Sequence, residues 1–360
     1  MIEPNFWEGR KVFITGHTGF KGAWLCLWLQ TMGAVVRGYA LTAPTEPNLF
    51  SIAKVAEGLL SEIGDVRDFA SLKNALADFQ PDIIFHMAAQ PIVSLSYKDP
   101  IETYSTNVMG TVNLLEAVRQ IGGVGAVINV TSDKCYENKE WLWGYRETEE
   151  MGGFDPYSNS KGCAELVTSA YRQSFFNPDH YQQHGTALAS ARAGNVIGGG
   201  DWAMDRLIPT ILLSLQQHES ILIRNPYAIR PWQHVLEPLS GYLLLAQGLW
   251  QKGPLFAEAW NFGPKETDTI PVQQIVERMV RLWGEEASSW LQDDNQQVHE
   301  AQYLKLDCSK ALMRLNWRSR WNLDVALKRI VDWHKAYLAG ENMRAYTLRD
   351  IQDYVNTTID

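Results

Sequence analysis

Short apolar runs alternate with amphipathic stretches along most of this chain, and that alternation predicts an α/β protein with a parallel sheet. The first apolar run is Lys11-Val12-Phe13-Ile14, and residues 23–29 read as the helix that follows it. Further buried-strand patterns lie at residues 35–41, just before Gly64, and at 81–89, 127–130 and 187–192. Helical periodicity fills the gaps at residues 69–79, at 106–117 and from Tyr157 onward. Past residue 185 the pattern changes. A glycine-rich loop covers residues 193–201, a helix follows Arg206-Leu207-Ile208-Pro209, and Arg230-Pro231-Trp232-Gln233-His234-Val235 reads as another loop. Residues 235–249 then form an apolar helix, followed by a short strand at 260–263 and a helical pattern from Pro271 to Trp283. The expected architecture is a doubly wound, Rossmann-type parallel sheet with a smaller C-terminal α/β substrate lobe. Residues 1–190 would bind a dinucleotide, the chain would return to that domain around 235–263, and 191–360 would mainly bind the substrate. The chain shows no internal repeat and no low-complexity linker.

Composition narrows the function. The chain has 360 residues, of which 46% are hydrophobic, so a large core can be buried. The formal net charge of −9 argues against a nucleic-acid or anionic-membrane partner, so an anionic ligand would need a local cluster of arginines and backbone amides. The four cysteines, Cys26, Cys135, Cys163 and Cys308, have neither metal-binding nor redox spacing, which predicts no metal site and suits a reducing cytoplasm. No apolar signal core surrounds Glu3, and no apolar run approaches the roughly 20 residues a membrane helix needs. A soluble, cytoplasmic protein is expected.

Candidate chemistry collects in two places. Thr15-Gly16-His17-Thr18-Gly19-Phe20-Lys21-Gly22 joins a strand to a helix, the context of a dinucleotide fingerprint. Gly16 permits the tight turn, Gly19 lets backbone approach a pyrophosphate, and Gly22 lets helix and strand pack closely, with Thr18 and Phe20 in the same turn. Asp65 could accept from an adenine amine, with Val66 beside it, and Ala88 and Ala89 would let a cofactor lie against backbone. His86 is expected to be a packed strand-end histidine. No acidic residue follows the second strand, and Arg37 lies on it, so NAD against NADP stays open on these grounds. The second place is Thr131-Ser132-Asp133-Lys134 with Tyr157-Ser158-Asn159-Ser160-Lys161. Tyr157 and Lys161 share a helix face, and an ammonium near the phenol would lower its pKa from about 10 towards neutral. Such a tyrosine can take a proton from a sugar hydroxyl. Asn195, Arg206, Arg230 and His234 lie in loops suited to gripping a diphosphate.

Taken in order, TGHTGFKG, HMAAQ, TNVMGT, TSDK, YSNSK, RAGNVIGGGDW and RPWQHV resemble the extended short-chain dehydrogenase/reductase family of nucleotide-sugar enzymes. The resemblance covers nearly the whole chain. TSDKCYEN, PTEPNLF and GGGDWAMDRLIP are most similar to the branch that dehydrates CDP-glucose. The resemblance implies conversion of CDP-D-glucose to CDP-4-dehydro-6-deoxy-D-glucose and water, with NAD as cofactor, in dideoxyhexose synthesis for O-antigen lipopolysaccharide. It implies a homodimer or homotetramer built through helices near 103–120 and 157–175. Tyr157 would take the 4-hydroxyl proton, Lys161 would tune it and hold the cofactor ribose, and Ser132 or Thr131 would bond the 4-oxygen. Asp133 would be the acid at the departing 6-hydroxyl, which requires a raised pKa. Related dehydratases of thymidine-linked sugars carry a glutamate as the C5 base where this chain has Lys134, so Lys134 is the expected base and Glu137 the reserve. The rivals are another nucleotide-sugar 4,6-dehydratase, a 4-epimerase, which has no need of Asp133-Lys134, and a non-catalytic dinucleotide sensor, which would commonly lack Tyr157 or Lys161.

Overall fold

A computed structural model describes residues 2–284, 290–293 and 303–358. Strands β1 (Lys11–Thr15), β2 (Val35–Ala40), β3 (Leu60–Ile63), β4 (Ile83–His86), β5 (Ala126–Val130) and β6 (Ala187–Ala193) come first. Three short strands follow, β7 (Asn195–Ile197), β8 (Ile221–Ile223) and β9 (Ile229–His234), and then β10 (Ala259–Phe262), β11 (Thr269–Pro271) and β12 (Trp290–Gln292). The main sheet has seven strands in the order β10-β6-β5-β4-β1-β2-β3, and every pair in it is parallel. Strands β4 and β5 are buried at every position, as a sheet covered on both faces requires. The strand order reverses between β1 and β4, and the crevice at such a switch point is where open α/β sheets bind ligands.

One core packs the Phe20–Thr31 and Leu236–Lys252 helices on one face of the sheet, around Trp24, Trp28, Leu239 and Tyr242. A second packs the Phe69–Phe79 and Gly110–Ile121 helices on the other, around Phe13, Leu76, Leu114 and Val118. The lobe has its own core, with Ile208, Leu212, Trp232, Ile275 and Leu327, beside a sheet ordered β11-β9-β7. The stretches at 193–201 and 230–235, expected as loops, thus contribute strands: β7 and β9 pair in parallel from Asn195↔Trp232 to Ile197↔His234. Their partners lie far apart in sequence, so local periodicity does not reveal them. The C-terminal Met343–Asn356 helix returns to the dinucleotide-fold side, where Arg344 donates to the carbonyl of Lys54 at 2.7 Å and to Gln30 Oε1 at 2.8 Å. Among the described residues no helix is long and apolar enough to cross a membrane.

Candidate active site

The crevice begins where β1 ends. Gly16 has φ +78°, in the left-handed region that glycine enters freely. A Cβ on Gly16 would meet the Ala88 nitrogen at 2.8 Å, and one on Gly22 would fall 2.2 Å from the Gly16 carbonyl oxygen. Gly19 caps the Phe20–Thr31 helix, and Thr18 donates to the Leu41 carbonyl at 2.8 Å, closing the turn onto the end of β2. Thr15 Oγ1 accepts from the amides of Met87 at 3.0 Å and Ala88 at 3.1 Å, which ties the exit of β4 to that of β1. This backbone cradle at a helix N-terminus has the shape and donors for a dinucleotide diphosphate. Ala88 lies against Gly16 and is half-buried, as is Ala89, and the Phe20 ring comes within 2.9 Å of where a Cβ on Gly198 would stand. Val66 is buried against Gly110. Asp65, the candidate partner for an adenine amine, accepts from Arg67 Nε at 2.8 Å. Arg37 donates to Glu62 at 2.6 Å across β2 and β3. His86 is a strand-end core side chain, with Nδ1 2.7 Å from Thr15 Oγ1, and burial lowers its pKa to about 3.

The second half of the site stands at the end of β5. Asp155 caps the Pro156–Ser174 helix, accepting from the Ser158 amide at 2.9 Å, with Pro156 at the first turn. Tyr157, Ser160, Lys161, Ala164, Glu165 and Thr168 recur at helical spacing on its buried face. Opposite, Ser132 caps the short turn Asp133–Cys135, its Oγ accepting from the Lys134 amide at 3.2 Å. The Ser132 hydroxyl donates to Asp133 Oδ1 at 3.0 Å. Burial raises the Asp133 pKa, opposed by Lys134, by the Ser132 bond and by Arg230. Asp133 Oδ2 is buried with no hydrogen-bond partner, 3.0 Å from where a Cβ on Gly194 would stand. Lys134 is half-buried beside it, whereas Glu137 is exposed and its amide donates to the Glu150 carbonyl at 2.9 Å.

Several placements differ from expectation. Burial pushes the Tyr157 phenol up to about 12, against the pulls of the Ser132 bond and of Arg206. Burial, not the charge of Lys161, dominates the phenol, so the lowering expected from the Tyr-x-x-x-Lys spacing is not seen. Burial also lowers the Lys161 ammonium to about 8, with Glu165 on the same helix face acting the other way. Thr131, the alternative to Ser132, points away from the crevice and donates to Glu165 Oε1. His234 is a core side chain, packed edge-on to Trp24 at 5.8 Å and Trp321 at 4.9 Å and 1% exposed, so it is not a substrate contact. Arg206 reaches into the site but is tied to Asp201 at 2.9 Å. Arg230, buried, acts on Asp133 itself, and Asn195 stands half-buried on β7.

Other groups in the site went unremarked in the sequence. Lys21, in the first turn after Gly19, has its ammonium lowered to about 7 by burial and then by Lys161 and Arg206, while Asp133 opposes them. Its position inside the glycine motif was an available signal. Beneath the crevice Arg192 grips Glu165 in a buried fork, at 2.9 and 2.8 Å, and donates to the Tyr136 hydroxyl at 2.7 Å. Asn107 lies in the π-helical turn Ser105–Met109 and donates to the Gln90 carbonyl at 3.1 Å and to Ser160 Oγ at 2.9 Å. A cleft of about 350 Å³ opens over Pro231, lined also by Trp143, Glu266 and Lys305.

A seven-stranded parallel sheet with a glycine cradle at its switch point and a buried Tyr-x-x-x-Lys helix face defines the short-chain dehydrogenase/reductase class. A family model described as GDP-mannose 4,6 dehydratase matches residues 13–330, and the chain belongs to that family. It is 63% identical over 358 residues to CDP-glucose 4,6-dehydratase of Salmonella typhimurium, covering 99% of both chains. It is 23% identical to a dTDP-glucose 4,6-dehydratase of Shigella flexneri, over 92% of this chain and 94% of that one. In fold it resembles a dTDP-glucose 4,6-dehydratase of Streptomyces venezuelae solved with NAD (TM-score 0.79, 23% identity, 92% and 98% coverage). It also resembles a UDP-glucose 4-epimerase of Thermotoga maritima solved with UDP-glucose (TM-score 0.78, 19% identity, 91% and 99% coverage).

Proposed function

We propose that this chain is a CDP-glucose 4,6-dehydratase that works with NAD and forms CDP-4-dehydro-6-deoxy-D-glucose and water. The likeness to the Salmonella relative along the whole chain supports the substrate. The observation that carries the reaction type is Asp133, a buried carboxyl of raised pKa that accepts from the Ser132 hydroxyl and has a second oxygen with no hydrogen-bond partner. An epimerase needs the tyrosine but no acid beside it.

NAD held in the Gly16–Gly22 cradle would accept the C4 hydrogen with its electrons and return it at C6, and its cationic ring would favour the phenolate form of Tyr157. Arg37 is engaged by Glu62, which favours NAD over its 2′-phosphate form. Tyr157 takes the proton of the 4-hydroxyl, and Ser132 donates to the 4-oxygen. Lys161, deep in the crevice, holds the cofactor ribose. The new ketone acidifies C5–H, Lys134 removes that proton, and Asp133 protonates the 6-hydroxyl as it leaves. Arg206, Arg230 and Asn195 hold the diphosphate. A second copy of the chain covers the helices near 103–120 and 157–175, where Met109, Leu166 and Phe175 are exposed. The four free cysteines fit work in the cytoplasm.

The test uses CDP-glucose deuterated at C4. Deuterium should arrive at C6 of the product, and in heavy water unlabelled substrate should gain deuterium at C5. Deuterium kept at C4 would mark an epimerase, and stoichiometric reduced cofactor a simple dehydrogenase.

A further inference from the structure

The two halves of the site sit on separate elements. Tyr157 and Lys161 ride on the Pro156–Ser174 helix, whereas Ser132, Asp133 and Lys134 ride on the segment that leaves β5. Beneath the crevice one ion pair joins them. The Glu165 carboxylate, one turn beyond Lys161 on the buried helix face, accepts from Arg192 through two nitrogens at 2.9 and 2.8 Å, from the Ser190 hydroxyl at 2.6 Å and from the Thr131 hydroxyl. The third guanidinium nitrogen of Arg192 donates to the Tyr136 hydroxyl at 2.7 Å and to the Glu147 carbonyl at 3.1 Å. The Tyr136 hydroxyl in turn donates to Asn261 Oδ1, on β10, at 2.8 Å. The paired side chains of Arg192 and Glu165 are only 4% and 3% exposed.

We propose that Arg192 and Glu165 are positioning residues for the elimination step: the pair pins both ends of the 131–136 segment and so holds Asp133 and Lys134 in register with Tyr157 and Lys161. The role rests on the dehydratase reading above. Thr131 immediately precedes Ser132, and Tyr136 follows Lys134 by two residues, so the pair grips the segment on either side of the acid and the base. A buried ion pair adds little net stability once its desolvation is counted. What it supplies here is geometry. The two-pronged fork has one arrangement, and Thr131, Ser190 and Tyr136 meet it together only when β5, β6 and the helix are in register. Neither Arg192 nor Glu165 touches the reacting atoms in this reading; both act through the segment they hold. The helix of Tyr157 keeps an anchor of its own, the Asp155 cap, which accepts from the Ser158 amide at 2.9 Å and from the Ser158 hydroxyl. Loosening the pair therefore displaces Asp133 and Lys134 more than Tyr157. Misplacing a reacting group by about 1 Å can cost on the order of a hundredfold in rate. Oxidation at C4 then continues while loss of water lags behind it.

Tyr136→Phe frees one end of the segment without removing a charge. In NAD-loaded enzyme given CDP-glucose, it should lower turnover by about tenfold or more, and reduced cofactor should build up on the enzyme, read by its near-ultraviolet absorbance. Loss of folded enzyme would lower the rate without raising the reduced fraction. Arg192→Lys keeps the charge but not the fork and should show the same build-up; if it does not fold, Tyr136→Phe decides alone. Tyr145 is the control. Its ring stacks on Tyr136 at 5.1 Å, but its hydroxyl bonds Lys139 and Asn138 rather than the ion pair. Tyr145→Phe should keep both rate and reduced fraction within about twofold of wild type. If Tyr136→Phe turns over like wild type, slows without extra reduced cofactor, or is matched in its build-up by Tyr145→Phe, the positioning role is wrong. Wild-type enzyme that makes no 4-keto sugar from CDP-glucose overturns the dehydratase reading and this role together. Wild-type turnover with an unaffected Tyr136→Phe overturns the role alone.

Discussion

Asp133 and Lys134 are neighbours in sequence but meet different surroundings. The carboxyl is withdrawn from water, whereas the lysine is half-buried at the crevice edge. Glu137, the other candidate base, is exposed, and its amide is bonded to the Glu150 carbonyl. Lys134→Met should therefore suppress exchange of the C5 hydrogen with heavy water by about a hundredfold or more, the usual scale of a lost general base, while Glu137→Gln stays within about twofold. Proton NMR of the product reads both, and exchange that survives in Lys134→Met but fails in Glu137→Gln would reverse the assignment. Ser132, Asp133, Tyr157 and Lys161 could be read from sequence because they are adjacent or one helical turn apart. Glu165 and Arg192 could not be found as a pair that way, because a parallel crossover separates them. The Tyr157 pKa was misjudged for a related reason. Spacing reports a neighbouring charge, but burial depends on what the whole chain stacks over the phenol.

The strand–turn–helix unit at the start of the chain is the element on which cofactor binding depends. Its tightest contact is Gly22, where a Cβ would stand 2.2 Å from the Gly16 oxygen and 2.8 Å from the His17 Cα. Both neighbours are backbone and cannot rotate away, so Gly22→Ala must push helix and strand apart. Cofactor affinity should fall by about tenfold or more, since the helix N-terminus would no longer point its amides at the diphosphate. Titration calorimetry with NAD measures this, and an unchanged Kd would place the dinucleotide elsewhere. This unit was legible because glycine spacing and the change from strand to helix periodicity coincide within a dozen residues. The small sheet of β7, β9 and β11 was not legible. Its strands are 3, 6 and 3 residues long, too short for alternation to stand out, and their pairing depends on the lobe already being folded.

At the scale of the molecule, the sheet and the C-terminal helices are clasped through Glu237, on the Leu236–Lys252 helix. Its buried carboxyl accepts from the Trp321 amide at 2.7 Å, from the Arg320 amide at 3.1 Å and from the Tyr354 hydroxyl at 2.7 Å. Tyr354 in turn packs edge-on to Trp28 of the first long helix, at 5.6 Å. The amphipathic pattern predicted the helices but gave no sign of this clasp, which spans 117 residues of sequence from Glu237 to Tyr354. Burial raises the Glu237 pKa from 4.5 to about 7, against the pull of these hydrogen bonds. A raised folded-state pKa stabilises the fold fully below pH 4.5, and that contribution is lost as pH rises through about 7. Glu237→Gln keeps the size but turns an amide NH2 towards N–H donors, leaving about one donor unpaired at a cost near 1–3 kcal/mol and lowering Tm by about 2–8 °C. Because glutamine does not titrate, the Tm gap between wild type and variant should be widest near pH 5 and shrink towards pH 8. A gap that widens with rising pH would mean that the hydrogen bonds outweigh burial and that Glu237 is held in the fold as the carboxylate.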